Sequence, residues 1–246
     1  MDHHASQIKK YQIELKAIEE ELQDLPDGRL KIRKKYFAHV IEDKEISITK
    51  NATLIRQLCR KKFLLEKQRR LKYNLNPKCL VVNLKSIDPK TIIAALPDSY
   101  QDVPINYFYQ TDVHKWRSMT PKKNPHQAEQ LNYTSPNGIP LRSKSEFMIA
   151  SLIEEYDVPY HYEASVKFEG KTIYPDFVIK SPFTGKLIIW EHFGALHQEG
   201  YIEKMNEKMK RYMKHGYVPF DNLIYTFEFD LMDEDHLKAI IEKIIL

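Results

Sequence analysis

Two acidic residues, Asp176 and Glu191, stand at the ends of two apolar runs, Phe177-Val178-Ile179 and Leu187-Ile188-Ile189-Trp190. Between the runs, Ser181-Pro182-Phe183-Thr184-Gly185 is rich in turn formers and reads as a hairpin connection. A four-residue loop from Pro182 to Gly185 pairs Ser181 with Lys186, Ile179 with Ile188 and Phe177 with Trp190. That register sets Asp176 directly opposite Glu191. Facing residues on paired strands have Cβ atoms roughly 4.5–5.5 Å apart, and like charges so placed are destabilising. Hairpin folding therefore does not ask for this pair, whereas a shared divalent cation accounts for it. Hard oxygen ligands of this kind suit Mg²⁺ or Mn²⁺, held by one or two carboxylates together with water and phosphate. The competing reading has one acid capping a turn or pairing with a lysine while the other faces solvent.

Three further positions bear on that chemistry. Ser143 and Glu146, in Arg142-Ser143-Lys144-Ser145-Glu146, have capping-box spacing, in which the glutamate returns to the helix N-cap. Alternatively, Glu146 points from the helix start towards the metal, with Arg142 and Lys144 meeting phosphate. Tyr201, Met205, Lys208 and Tyr212 share one face of a helix at ~3.6 residues per turn. Lys208 on that stripe either snorkels to water or reaches a buried anion, which the two carboxylates favour. Lys204, Lys210, Arg211 and Lys214 lie off the stripe and read as solvated charge. His192, next to Glu191, turns its side chain to the opposite strand face and is a metal ligand candidate through its backbone carbonyl.

The elements that must position these residues follow from the pattern. A helix from Ser143 to Tyr156 precedes strands near Tyr160–Phe168, Thr172–Lys180 and Lys186–His192. A charged helix near Glu199–His215, a strand at Leu223–Phe229 and a helix at Glu234–Ile245 complete the series. This is an α/β layout, a small mixed sheet with helices on its faces. Further back, Ile8, Tyr11, Leu15, Ile18 and Leu22 form the seam of an amphipathic or coiled-coil-like helix ending at Pro26 and Gly28. A short hairpin is expected within Arg29–Thr49 and a second helix from about Asn51 to Tyr73. The two helices suit an antiparallel pair, or a homodimer or protein-partner contact. The resulting division is a basic helix-hairpin-helix region at 1–75, a proline-punctuated connection at 76–129 and an α/β domain at 130–246. Tyr107, Phe108, Tyr109 and Trp116 suggest that the connection packs on the last domain.

Charge is unevenly spread. Residues 1–75 carry 18 Lys and Arg against 11 Asp and Glu, whereas residues 76–246 carry 20 against 23. Within 28–72 the surplus is 15 against 4, which suits a polyanion-binding arm or a solvated basic surface. Lys34, Lys35, Arg60, Lys61 and Lys62 are the candidate nucleic-acid contacts there. No apolar run approaches the roughly 20 residues that span a bilayer. The start, Met1-Asp2-His3-His4, lacks the features of a signal peptide, and Cys59 and Cys79 have no metal or disulfide spacing. These features lead us to expect an intracellular, cytoplasmic protein with no membrane partner.

Glu146, then Pro175-Asp176, then Glu191, in an α-β-β-β-α-β order, resembles the PD-(D/E)xK nuclease superfamily over about residues 130–246. The resemblance implies a restriction-endonuclease-like core in which these acids hold one or two Mg²⁺ ions. The family's usual lysine slot, two residues after the glutamate, is here Phe193. Some members carry that lysine on the next helix, and Trp190-Glu191-His192-Phe193-Gly194 followed by Lys208 and Tyr212 is similar to that variant. What the resemblance implies is metal-dependent hydrolysis of a phosphodiester in nucleic acid, with DNA favoured over RNA. Asp176 and Glu191 would bind the ion, Lys208 would position water or stabilise charge, and Glu146 would hold a second ion or orient a water. Phe193 keeps open a catalytically inactive, nuclease-like DNA-binding protein. A helical interaction protein is the remaining reading. The N-terminal part is similar to regions attached to such domains in bacterial and phage-associated proteins.

Overall fold

Leu187–Phe193 carries apolar side chains towards both faces of its strand, so the fold must cover this strand from two sides. The computed structural model describes residues 3–34, 36–76, 84–122, 124–125, 131–168 and 170–246. Lys35 and Cys79 lie outside the described residues. The chain divides into two compact units, Met1–Thr111 and Asp112–Leu246. Among the described residues no helix is long and apolar enough to cross a membrane.

In the first unit, α1 (His3–Gln23) leads into strands β1 (Arg29–Arg33), β2 (Tyr36–Ile41) and β3 (Lys44–Ser47). These form a three-stranded antiparallel sheet where the sequence suggests a two-strand hairpin. The extra reversal is made at Glu42 and Asp43, whose φ values of 44° and 64° are those of a two-residue type I′ turn. Helix α2 (Ala52–Asn74) follows, its N-terminus capped by Asn51 accepting from the Leu54 N–H at 3.1 Å. It pairs antiparallel with α1 through Glu14–Lys67 at 2.6 Å and Glu21–Arg60 at 2.8 Å, burying Tyr11 and Ile18 of the seam. The expectation that the proline-punctuated stretch packs on the last domain holds for Trp116, whose ring lies 4.0 Å from that of His161, and not for the part up to Thr111, which belongs to this unit. That part includes α3 (Pro89–Ala94), and Arg70 and Asn74 donate to the carbonyls of Ser86 and Lys85.

Two basic residues of this unit, Arg60 and Lys61, are engaged within the fold. Arg60, expected to contact phosphate, is only 2% exposed and is bound to both Glu21 oxygens and the Phe108 carbonyl. Lys61 donates to the Pro26 carbonyl at 2.7 Å. Lys62 is half-buried and Lys34 is exposed.

The second unit comprises α4 (Thr111–Arg117) at its boundary, a small hairpin of β4 (Tyr133–Thr134) and β5 (Pro140–Leu141), then α5 (Lys144–Glu155). Next come β6 (Tyr160–Tyr162), a hairpin of β7 (Val166–Phe168) and β8 (Lys171–Ile173), β9 (Phe177–Lys180) and β10 (Leu187–Phe193). Helix α6 (Tyr201–Lys214), strand β11 (Leu223–Phe227) and helix α7 (Glu234–Ile240) complete it. Two strands are shorter than expected. Glu163, at φ 45°, ends β6, and Pro175, without an N–H, separates β8 from β9.

The main sheet has the order β11-β10-β9-β6 and is mixed: β10 runs parallel to β11 and antiparallel to β9, which is antiparallel to β6. Ile188, Trp190, Phe177 and Ile179 pack with Ile149, Ile153, Leu237 and Ile241 of α5 and the α7 region. On the other face Ile189 and Leu223 pack with Tyr212 of α6 and with Phe168 and Ile173 of the β7–β8 hairpin. The α/β class is thus present, with helices on both sheet faces.

Candidate functional site

Strands β9 and β10 pair Lys180 with Leu187, Ile179 with Ile188 and Phe177 with Trp190. The Ser181 N–H donates to the Lys186 carbonyl at 2.8 Å, and Gly185 closes the loop at φ 71°. Carried one step further, this register sets Asp176 opposite Glu191, as the sequence predicts. Alternation then turns both towards α6, because Ile189 packs on that side with Tyr212, and Trp190 and Phe177 face the other.

Glu191 is 1% exposed, and each of its oxygens accepts a hydrogen bond from α6. Lys208 Nζ donates to Oε2 at 2.6 Å, and the Tyr212 hydroxyl donates to Oε1. Burial works against the Lys208 ammonium, but the charges of Glu191 and Asp176 outweigh it and hold its pKa above the ordinary lysine value. Burial and the Glu191 charge push the Tyr212 phenol up, so it remains a donor. Asp176 accepts from the His192 N–H at 2.7 Å. Burial and the neighbouring Glu191 charge raise its pKa to about 7, against the opposing pull of Lys208.

Glu146 caps its helix as the capping-box reading expects. Ser143 Oγ accepts from the Glu146 N–H at 3.1 Å, and Glu146 Oε2 accepts from Arg142 N, Ser143 N and Tyr162 Oη. Burial and the charge of Asp176 raise its pKa, so the carboxylate also feels the site. Arg142 is bound by two hydrogen bonds, 2.7 and 2.8 Å, to Glu163. Lys144 is exposed.

His192 engages Asp176 by its N–H at 2.7 Å. Its ring lies on the opposite face, with Nδ1 3.2 Å from Thr226 Oγ1 and Nε2 3.1 Å from Glu228 Oε1. Ser145 Oγ donates to the same Glu228 oxygen at 2.9 Å. A Cβ on Gly194 would stand 2.5 Å from that oxygen, so glycine there admits the Glu228 carboxylate. Phe193, in the slot where a lysine is usual, is 4% exposed and packs on Tyr201 and Phe227. Sequence reasoning did not foresee Glu228, Ser145 or Thr226, which no spacing links to His192. The helical stripe did contain Tyr212, but as an apolar residue rather than a donor.

Asp176, Glu191, Lys208 and Lys204 line a cavity of about 180 Å³, together with His192, Phe193, Tyr201 and Met205. Among the described residues no group of three or more His, Cys, Asp and Glu side chains is arranged to hold a metal ion. The donor set is nonetheless of the kind Mg²⁺ takes. It consists of hard carboxylate oxygens in one small cavity, and Asp176, its pKa raised chiefly by burial and then by the Glu191 charge, is a carboxylate that a cation would help to ionise.

No family model matches this chain. An uncharacterized protein of Methanocaldococcus jannaschii is 32% identical over 82 residues, which is 33% of this chain and 7% of that protein. The chain thus matches only a small part of that protein. No solved structure matches.

Proposed function

We propose that the second unit is a restriction-endonuclease-like domain and that the protein is a metal-dependent nuclease hydrolysing phosphodiester bonds of nucleic acid, DNA before RNA. The observation that carries this reading is the convergence of Asp176, Glu191 and Lys208 on one small cavity. They come from two strands and the helix that follows them. Asp176 and Glu191 would hold Mg²⁺ or Mn²⁺, with Glu146 nearby to orient a water or hold a second ion. When bound, the cation supplies charge neutralisation for the phosphate and a more acidic water.

The side chains have separable tasks. Tyr212 and Lys208 fix the two Glu191 oxygens, and the His192 N–H fixes one oxygen of Asp176. Lys208 is about one-third exposed on the cavity side, so its ammonium can turn from Glu191 to a scissile phosphate and stabilise developing charge. The test is cleavage of single- and double-stranded DNA and RNA with Mg²⁺ and Mn²⁺, by wild type and Asp176→Asn. Intact substrates throughout would overturn the reading, and undiminished cleavage by Asp176→Asn would overturn the site.

A second reading, nucleic-acid binding without hydrolysis, is favoured by the core packing of Phe193 in the usual lysine slot. Affinity that falls with salt and ignores metal, without cleavage, would select it.

A further inference from the structure

Helix α6 turns a second face away from the cavity. Lys210, Arg211 and Lys214 project from it, all exposed, and with Lys171 of β8 they border a concavity of about 380 Å³. Phe168, Glu207 and His215 complete the lining, and the His215 ring stacks on Phe168 at 4.4 Å. Among the described residues four cationic side chains therefore surround one carboxylate. Among the described residues Lys171, Lys204, Lys210 and Arg211 have no ion-pair partner, which sets them apart from Arg60, Lys67 and Arg70 of the first unit.

At 100° per residue, Lys204 and Arg211 lie about 40° and 60° from Lys208 on one side, and Lys214 lies about 120° away on that same side. Lys204 also lines the small cavity. Positive charge thus extends from Lys208 through Lys204 and Arg211 to Lys214, with the Glu207 carboxylate set among them, over a rise of about 15 Å. One strand of a duplex places about four phosphates in that length. Lys171, Lys204, Lys210 and Arg211, exposed and without a carboxylate partner among the described residues, are what a polyanion's backbone requires.

We infer that this face of α6 with Lys171 is the cradle for the phosphodiester backbone, leading the chain into the cavity at Asp176, Glu191 and Lys208. The first unit's basic helix does not have this role. The inference deepens the proposed function and rests on it for the choice of nucleic acid as the ligand. Cavity and cradle share one helix, so the scissile phosphate and its neighbours are held by one rigid element.

The experiment compares wild type, Lys171→Ala/Lys210→Ala/Arg211→Ala and Lys34→Ala/Lys62→Ala, all as full chains without divalent metal. Fluorescence anisotropy with labelled single-stranded DNA, duplex DNA and single-stranded RNA is measured across a salt series. Unchanged far-UV circular dichroism and melting temperature verify the fold of these surface variants. The triple variant should bind at least tenfold more weakly, with a salt slope shallower by about 2–3, because each lost contact is worth about 0.7–0.9. The first-unit variant should keep the wild-type slope. Wild-type affinity in the triple variant, loss confined to Lys34→Ala/Lys62→Ala, or no binding by wild type would each overturn the cradle. A protein that binds through this face and leaves every substrate intact with Mg²⁺ and Mn²⁺ retains the cradle and loses the hydrolytic reading alone.

Discussion

Lys208 Nζ reaches Glu191 Oε2 at 2.6 Å across a sequence separation of 17 residues. It is the cation nearest two carboxylates that otherwise repel one another. Removing it should damage both chemistry and metal-free stability. Lys208→Ala is expected to lower cleavage about 10²–10³-fold. The variant should also melt below wild type without metal and recover more on adding Mg²⁺. Plasmid nicking and melting curves with and without Mg²⁺ check both, and full nicking activity would remove Lys208 from the site.

Asp176 gives a pH signature. Its pKa rises from an ordinary 3.8 to about 7 in the fold, so ionisation costs the folded state stability. That cost is absent below about pH 4, grows between 4 and 7, and is fully present above 7. Asp176→Asn should therefore melt higher than wild type at pH 8 in EDTA and equal to it at pH 3.5. One pKa unit is worth about 1.4 kcal/mol, which sets the gain on the order of 2–4 kcal/mol. Equal melting at pH 8 would mean that Asp176 is not strained by its neighbours.

Glu146 carries two roles that one pair of substitutions separates. Glutamine retains the capping geometry but drops the charge near Asp176, whereas alanine loses both. Glu146→Ala should cost about 1 kcal/mol of stability, and Glu146→Gln close to none. If Glu146 also serves the reaction, both variants lose at least tenfold in cleavage. A glutamine variant with full activity would confine Glu146 to its helix cap.

Much of this arrangement is legible from local pattern, and the reason is physical. The facing of Asp176 and Glu191 follows from loop length and period-2 alternation, and the Lys208 face from helical period, so short-range geometry suffices. The alternation at Arg29–Thr49 was harder to read, because Glu42 and Asp43 make a positive-φ turn without glycine. Arg60 illustrates a different limit: composition counts it as free charge, while only the packing of α1 on α2 reveals Glu21 against it. Gly194 owes its identity to Glu228, 34 residues further on, and nothing near it in sequence carries that information.

Tyr212 is fully buried, and its hydroxyl supplies one of the two donors to Glu191. Tyr212→Phe keeps the ring packing against Phe168 and Tyr217 and removes only that donor. Leaving a buried carboxylate oxygen unsatisfied costs about 1–3 kcal/mol, so melting should fall by several degrees in EDTA. The loss should shrink in saturating Mg²⁺ if the ion takes up the exposed lone pair. An unchanged difference with metal would argue that Glu191 does not meet the ion.

Arg60 tests the reassignment of the first unit's basic residues. Its guanidinium bridges Glu21 and the Phe108 carbonyl while almost wholly buried. Truncating one partner of a buried pair typically costs 3–5 kcal/mol. Glu21 keeps about a quarter of its side-chain exposure, so water can partly solvate it and the loss falls to about 2–3 kcal/mol. Arg60→Ala should therefore shift urea denaturation to lower concentration. Removing both charges, in Arg60→Met with Glu21→Met, should recover most of that loss, because apolar groups of similar volume replace a buried ion pair at little cost. A phosphate-contacting arginine would behave in the opposite way. Its removal would leave urea denaturation unchanged and reduce the salt dependence of nucleic-acid binding by about one contact. Urea curves of the three proteins beside their salt slopes separate a helix-pairing arginine from a nucleic-acid contact.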